Sequence, residues 1–547
     1  MENEKKYTLL DIKDNVAVAF NRLKKGTKIE VNNFSFILKD HVEAKHKFSI
    51  CNFNKGDAIL MYGQIIGKAT QSIKKGEVLT INNIENSTQP YDLNAIEEFN
   101  WAVPEVSFIK NKTFMGYHRS DGQVGTDNVW LVFPLVFCEN KSIEIIKKAL
   151  EHTLGINKIV SYEYYAENVW NNLQNKTTKV SSKEKRQDHK TPQLPNVKVR
   201  FLDHHTGCGG TRNDARMLCK LLAGYLNNPN VAGASILSLG CQNAQESMLE
   251  EELEIIAPNF KKPLLWFNHQ KTKNTDAYLK AIIEGTLKAL LNVNLNSVRK
   301  PASLSKLNIG VECGGSDGFS GISANPMVGQ SMDYMVALGG SVILSEFPEL
   351  SGTESEIIKR CNTENLKNKF IKLMTAFEKR AEAVGSGFKD NPSPGNIREG
   401  LLTDAMKSAG AVRKGGTSSV NDVLDYGEYI SNKGLSLLCT PGNDVESTTA
   451  LAGSGANLIL FTTGLGTPTG NPVSPVIKIS SNTEISETME EIIDINAGSI
   501  IDGNYTIEGK AKELLNYIID VASGNKISKA VMREQHDFIP WKRDISL

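Results

Sequence analysis

The sequence predicts an α/β protein with a small all-β module at its front. Two observations carry this. From residue 197 onward, short apolar runs of strand length alternate with helix-length stretches, the order that builds a mainly parallel sheet. Residues 1–88 instead hold brief β-rich runs cut by Lys-Gly and Asn-Asn turns. At 547 residues the chain exceeds what one core holds, so about three domains are expected.

In the front module the strands are Val16-Ala17-Val18-Ala19-Phe20, Lys28-Ile29-Glu30-Val31 and Phe34-Ser35-Phe36-Ile37-Leu38. Two turns repeat a Lys-Gly-acid pattern, Lys55-Gly56-Asp57 and Lys75-Gly76-Glu77. His41 and His46 follow Leu38; their spacing is not that of a helical metal pair and reads as surface or turn histidines. Residues 89–112 read as a linker with a short acidic helix near Ala95. A polar turn, Gly116 to Asn128, then precedes the apolar strand from Val129, and that run ends at Cys138.

Residues 173–196, rich in Lys, Gln, Ser, Thr and Pro, read as a mobile insertion. The strand Val197 to Leu202 leads into Asp203-His204-His205-Thr206-Gly207-Cys208-Gly209-Gly210-Thr211, and a helix follows. The strand Ala234 to Leu239 ends at Gly240-Cys241-Gln242-Asn243. The richest turn is Glu312-Cys313-Gly314-Gly315-Ser316-Asp317-Gly318, after the strand Ile309 to Val311 and before a helix. Strand, glycine-rich turn and helix together place ligand groups at the carboxyl edge of an α/β sheet. Near residue 432 the alternation restarts, which divides the remainder into domains at 113–430 and 431–547.

Cys138, Cys208, Cys241 and Cys313 each follow a strand. Four thiols at converging strand ends can ligate iron or zinc, or can pack as small apolar groups. The eight cysteines show neither CxxC spacing nor a disulfide framework. Lys plus Arg and Asp plus Glu both number 62, so nothing suggests a nucleic-acid partner. The longest apolar run is about half a membrane span, and the charged start lacks a signal-peptide core, so a cytoplasmic location without membrane contact is expected.

Several motifs together resemble the altronate dehydratase and galactarate dehydratase family of sugar-acid dehydratases. They are His46-Lys47-Phe48, Tyr117-x-Arg119-x-Asp121-Gly122, His205-Thr206-x-Cys208, Leu239-Gly240-Cys241, Glu312 to Gly318 with Ser323-Ala324-Asn325-Pro326, Asn391 to Asn396, and Pro441-Gly442-Asn443-Asp444. The resemblance spans nearly the whole chain. It implies a β-clip (SAF-like) front module, a central parallel α/β catalytic domain, a Rossmann-like C-terminal domain and a divalent metal, ferrous iron or manganese. The chain departs from the family at Lys45, where a glycine is usual, and at Thr80 and Asn82, where histidines are usual.

The expected reaction removes water across carbons 2 and 3 of a hexonate, D-altronate, giving a 2-keto-3-deoxy acid. The ene-diolate formed at carbon 2 needs cations, and the leaving hydroxide needs an acid or a Lewis acid. The expected catalytic residues are His46, Arg119, His205 and Asp317, with Arg119 clamping the substrate carboxylate. Asp121, Ser316, Asn325, Asn396 and Asn443 are expected to bind substrate. The expected metal ligands are His41, His46, Cys208, Cys241 and Cys313. A hexarate such as galactarate would need a further cation, Lys414 or Arg413, and stands as the alternative substrate. A sulfolactate lyase and a non-catalytic sugar-acid-binding protein are further readings. The expected assembly is a homodimer acting on a free small molecule.

Overall fold

Four copies of one turn build the front module. In a computed structural model describing residues 6–31, 34–88, 99–156, 162–174 and 194–546, Leu23 bridges Val42 and Phe53 bridges Ile73. Three residues after each comes a left-handed residue: Gly26 (φ 86°), Lys45 (φ 72°), Gly56 (φ 92°) and Gly76 (φ 87°). Glycine enters that region freely, whereas a lysine there costs about 1 kcal/mol. Lys45 thus stands where three sister turns carry glycine. Short antiparallel pairs complete the module, among them Val16–Ala19 between Tyr7–Thr8 and Lys47–Ser49. Residues 89–98 of the expected linker, with its helix near Ala95, and residues 175–193 of the expected insertion lie outside the described residues.

The second unit is a four-stranded parallel sheet in the order Lys198–Phe201, Val129–Pro134, Val231–Ser238, Leu264–Asn268. Its two central strands are buried along their whole length, as parallel strands covered on both faces must be. Trp130 and Val132 face Ile146 and Leu150 of helix Asn140–Leu154, with Tyr278 and Ile282 of helix Thr275–Asn296. Val129, Leu131 and Phe133 face the opposite core, with Leu218 and Leu222 of helix Arg212–Asn227.

The third unit is a seven-stranded parallel sheet. Its order is Val420–Leu424, Gly434–Leu438, Ser341–Leu344, Asn308–Cys313, Leu458–Thr463, Val476–Ser480, Ile495–Asn496. The expected boundary at 430/431 falls inside this sheet and is corrected: Gly434–Leu438 pairs with both Val420–Leu424 and Ser341–Leu344. The alternation does restart near 432 in sequence, but the strands on either side of that point interleave. Moving outward from Asn308–Cys313, chain order runs one way toward Ser341–Leu344 and the other way toward Leu458–Thr463. A crevice opens at the carboxyl ends where the order reverses.

Helix Arg212–Asn227 leaves the carboxyl edge of the four-stranded sheet, and helix Asp444–Gly453 follows the carboxyl end of Gly434–Leu438. The two helices close on each other near their last turns, where a Cβ on Gly224 would lie 1.8 Å from the Gly453 carbonyl oxygen. Both carboxyl edges therefore face the same side of the molecule. The C-terminal segment runs along both: Ile539 N donates to Thr449 Oγ1 (3.0 Å), and Thr211 Oγ1 donates to Asp544 (2.7 Å).

Candidate active site

The crevice is lined by groups that burial and charge set against one another. Cys313 ends its strand, and its Sγ lies 2.7 Å from Lys414 Nζ and 2.8 Å from Glu349 Oε2. Glu346 follows the strand Ser341–Leu344 in a left-handed conformation (φ 71°). That conformation aims its carboxylate back, so Oε2 accepts from the Cys313 N–H (2.9 Å) and from Lys414 Nζ (2.8 Å). Lys407, from helix Asp404–Ala411, donates to Glu349 Oε1 at 2.8 Å. A second group stands beside the first. Glu312, Phe461 and Lys478 are register partners on three adjacent strands, so they share one face. Lys478 Nζ lies 3.4 Å from the Phe461 ring centroid. Among the described residues neither Lys478 Nζ nor either Glu312 carboxyl oxygen has a hydrogen-bond partner of good geometry, although both residues are fully buried. Asp444, half-buried, completes the group where Gly314 leaves room: a Cβ there would lie 2.2 Å from Asp444 Oδ2.

Several of these groups titrate near neutrality. Burial pushes Lys478 down to about 7, against the pull of Glu312 and Asp444. Burial and the neighbouring Glu349 raise Glu346 to about 7, against Lys414. Burial and Glu349 raise Asp444 to about 6. Burial and the adjacent Glu346 and Asp444 hold the Glu312 carboxyl well above its ordinary range. Burial acts on Glu349 too, but Lys407 and Lys414 overcome it and hold that group at about 2.

Cys313, Glu346 and Glu349 are the one trio of metal-type ligands within 4.8 Å of one another among the described residues. Their donors are suitable for a divalent ion, but the space is taken. Lys414 Nζ lies 2.7, 2.8 and 3.5 Å from the same three side chains and already supplies the positive charge. The trio as built is closed around an ammonium and does not fit a metal.

Asp317 is buried and fully engaged. Its Oδ1 accepts from Phe319 N (3.1 Å), Ser320 N (2.9 Å), Ser320 Oγ (2.9 Å) and Ser481 Oγ (2.7 Å). Its Oδ2 accepts from Asn482 Nδ2 (3.0 Å) and pairs with Lys45 Nζ (3.2 Å). Asp317 thus fastens the front module to the third unit. Lys45 also pairs with Glu399 (2.5 Å), and Lys47 Nζ donates to the Gly400 carbonyl (2.6 Å). His46, half-buried with its pKa lowered by burial, sits at the same seam with Nε2 against the Arg398 carbonyl (3.1 Å). Asn396 Nδ2 donates to the Ser316 carbonyl (2.7 Å), and Asn325 bridges Thr462 Oγ1 (2.8 Å) and the Gly410 carbonyl (3.0 Å). Asn443 is exposed and caps helix Asp444–Gly453 through the Val445 and Glu446 N–H groups.

Other expected site residues lie elsewhere. Arg119 donates to the Pro229 carbonyl (2.7 Å) and Asn128 Oδ1 (2.9 Å), both just before strands of the four-stranded sheet. It therefore holds the amino edge, at the opposite end of those strands from His205, and the expected gathering of Arg119, His205 and Asp317 is corrected. Asp121 is exposed and closes its own turn onto Gln123 (2.9 Å). His41 is exposed and accepts from Lys25 N at 3.4 Å. His205 and Cys208 are exposed and line a cavity of about 370 Å³ at the carboxyl edge of the four-stranded sheet, and Cys241 is exposed at the end of the next strand but one. Of the five expected metal ligands only Cys313 belongs to the ligand trio, so the set does not gather at one ion. The sequence reading missed Glu346, Glu349, Lys407 and Lys478. The signals were available: two acids directly past a strand end in Ser345-Glu346-Phe347-Pro348-Glu349, and one charge inside the apolar run Val476-Ile477-Lys478-Ile479.

Comparison with known proteins matches all three units. Residues 5–87 match the family described as "Altronate/galactarate dehydratase SAF domain". Residues 116–294 match "D-galactarate dehydratase/Altronate hydrolase, second domain", and residues 304–546 match "D-galactarate/Altronate dehydratase, C-terminal". Altronate dehydratase of Bacillus subtilis (strain 168) is 32% identical over 535 residues, covering 98% of this chain and 97% of its own. Altronate dehydratase of Escherichia coli (strain K12) is 32% identical over 533 residues, covering 97% of each. Galactarate dehydratase (L-threo-forming) of Escherichia coli (strain K12) is 28% identical over 519 residues, covering 94% of this chain and 92% of its own.

Proposed function

This chain belongs to the altronate and galactarate dehydratase family of hydro-lyases, and from that premise we propose that it dehydrates D-altronate to 2-dehydro-3-deoxy-D-gluconate. The observation that carries the reading is the group of buried Glu312 and Lys478 with half-buried Asp444, whose lysine titrates at about 7 and whose aspartate titrates at about 6. Removing a proton from carbon 2, next to a carboxylate, needs a base that is unprotonated near physiological pH. A desolvated lysine is such a base. In the proposed reaction Lys478 takes the carbon 2 proton and Asp444 gives a proton to the carbon 3 hydroxyl, which leaves as water. The enol then relaxes to the ketone. Lys407 and Lys414 offset the carboxylates of Glu349 and Glu346, so those acids do not oppose the ene-diolate charge. The expected divalent metal, ferrous iron or manganese, would polarise a substrate oxygen when bound; the Cys313 trio offers it no room while Lys414 stands there.

The altronate reading over galactarate is supported by 32% identity to the two altronate dehydratases against 28% to the galactarate dehydratase. Lys414, considered as the extra cation for a second carboxylate, is already engaged by Glu346 and Cys313. We read the third unit as Rossmann-like with one added edge strand, from its strand order. Among the described residues no helix is long and apolar enough to cross a membrane. Eight free cysteines suit a reducing compartment, so we place the protein in the cytoplasm. The test is a keto-acid assay of the anaerobically purified protein on D-altronate and galactarate, alongside Lys478→Met. Turnover of altronate, lowered at least about 100-fold in the variant, supports the reading. No keto acid from either acid overturns it.

A further inference from the structure

Cys313 and Lys414 stand closer than a hydrogen bond to sulfur requires. Their Sγ and Nζ atoms are 2.7 Å apart. That is short even for an N–H···O bond, which centres on about 2.9 Å, and sulfur is the larger atom. It is close to the span of one oxygen singly bonded to both atoms. Both side chains are fully buried, so neither can swing away into water. The backbone fixes each of them. Cys313 ends the strand Asn308–Cys313, and its N–H donates to Glu346 Oε2 at 2.9 Å. Lys414 lies in the short helix Val412–Gly415, pressed onto helix Ala324–Ala337: a Cβ on Gly329 would lie 2.0 Å from the Arg413 carbonyl oxygen. Each of the two close atoms also has its own proton acceptor. The Cys313 thiol donates to Glu349 Oε2 at 2.8 Å, and Lys414 Nζ donates to Glu346 Oε2 at 2.8 Å. Buried Cys361, by contrast, gives its thiol to the Ile357 carbonyl at 3.4 Å.

We propose that dioxygen joins Cys313 to Lys414 through a nitrogen–oxygen–sulfur bridge, a reversible modification that switches the crevice off. One dioxygen is consumed. The S–H bond, two N–H bonds of the ammonium and the O–O bond break. One S–O bond and one N–O bond form, and the second oxygen leaves as water. Sulfur and nitrogen each give up two electrons, and dioxygen takes all four. Three protons come off, the thiol's toward Glu349 and the ammonium's toward Glu346; two end on the water and one passes to solvent. Reversal takes two dithiols, each supplying two electrons, and returns thiol, amine and water. A solvent-exposed cysteine oxidised by oxygen climbs to sulfenic and sulfinic acids. Here an amine nitrogen stands 2.7 Å from the sulfur in a pocket sealed from water, and it captures the oxygen instead. The bridge removes the Lys414 charge and leaves the buried carboxylates of Glu346 and Glu349 with Lys407 as their remaining partner. That imbalance lies beside Asp444 and Lys478, so turnover falls. The effect on turnover rests on the dehydratase reading above; the bridge itself does not.

The test uses the full chain, purified without oxygen and divided into an anaerobic half and a half held in air-saturated buffer. Both are digested and mapped by mass spectrometry, and both are assayed on D-altronate before and after dithiothreitol. In the aerated half the peptides bearing Cys313 and Lys414 should run as one linked pair. One oxygen gained and two hydrogens lost make that pair about 14 Da heavier than the two peptides together. Dithiothreitol should split it, and the anaerobic half should lack it. Cys313→Ser and Lys414→Arg should yield no linked pair in air, with folding checked by melting temperature. Turnover of the linked protein should be at least about 10-fold lower and return with dithiothreitol. An aerated Cys313 peptide that stays unaltered, or that gains about 16 or 32 Da without a link to Lys414, overturns the bridge in the wild type alone. A linked protein with full turnover overturns the switch. A linked pair in protein that never turns over altronate leaves the bridge standing and removes the dehydratase reading.

Discussion

At the residue scale, single side chains carry charge balances that can be tested separately. Lys414 faces one thiol and two carboxylates, and all four groups are buried, so water screens none of them. Lys414→Met leaves that charge uncompensated, and a loss of about 3–5 kcal/mol in unfolding free energy is expected. Denaturant unfolding checks it; a loss below about 1 kcal/mol would show that the trio is neutral in the native state. His204 gives a pH dependence with a definite sign. Burial lowers its pKa from 6.5 to about 4, so between those values the unfolded chain binds more protons than the native one. Stability is therefore present above pH 6.5 and falls as pH drops toward 4, by about 3 kcal/mol in all from this group. Half-buried His536, lowered to about 2, adds a loss of the same sign reaching to lower pH. His204→Gln should flatten the limb between pH 6.5 and 4, read as melting temperature against pH; an unchanged slope would assign that limb elsewhere.

At the element scale, the four-turn repeat explains Lys45 and makes it testable. The turn geometry asks for glycine, and the sister turns supply it at Gly26, Gly56 and Gly76. Lys45 keeps the left-handed conformation because its ammonium reaches Asp317 and Glu399 across the seam. Lys45→Ala loses the ion pairs and keeps the backbone cost, whereas Lys45→Gly loses the pairs and gains conformational ease. Lys45→Ala should accordingly be the less stable of the two by about 1 kcal/mol. Equal stability would mean that the turn relaxes once the pairs are gone. Two proton-transfer groups set a condition on the crevice elements too. With Asp444 at about 6 and Lys478 at about 7, kcat/KM for altronate should peak between those values. It falls at lower pH as Lys478 gains a proton and at higher pH as Asp444 loses one. In Asp444→Asn the alkaline limb should move or vanish in the pH–rate profile.

At the scale of the whole molecule, the two parallel sheets meet where helix Arg212–Asn227 packs on helix Asp444–Gly453. Gly224 and Gly453 let them come close, with the Gly453 carbonyl oxygen 1.8 Å from the place of a Gly224 Cβ. Gly224→Ala must push helix Arg212–Asn227 off helix Asp444–Gly453, and a loss of about 1–3 kcal/mol is expected from such overpacking. The same change separates the two carboxyl edges, so turnover should fall by more than the stability loss alone removes. A variant with lowered melting temperature but unaltered kcat/KM would show that the edges work independently. The front module is held by the Asp317 loop and the segment around Glu399 and Gly400, so its release should follow charge loss at Asp317 rather than changes in its own core.

Local pattern was enough to reveal the α/β class, the β module at the front, the strand-ending turns and the cysteines at strand ends, because periodicity and turn chemistry are properties of neighbouring residues. The family resemblance marked Lys45 as a residue where a glycine is usual, though not why it is there. Which strands lie side by side was decided only in three dimensions. Val420–Leu424 and Gly434–Leu438 join a sheet begun at Asn308, and no local signal marks that pairing. The same step moved Arg119 to the far edge of its sheet, occupied Asp317 with six hydrogen-bonding and ionic contacts, and brought Glu346, Glu349, Lys407 and Lys414 around Cys313. Burial and long-range contact set whether a polar residue is spent on the fold or left for chemistry, and both depend on chain segments far away in sequence.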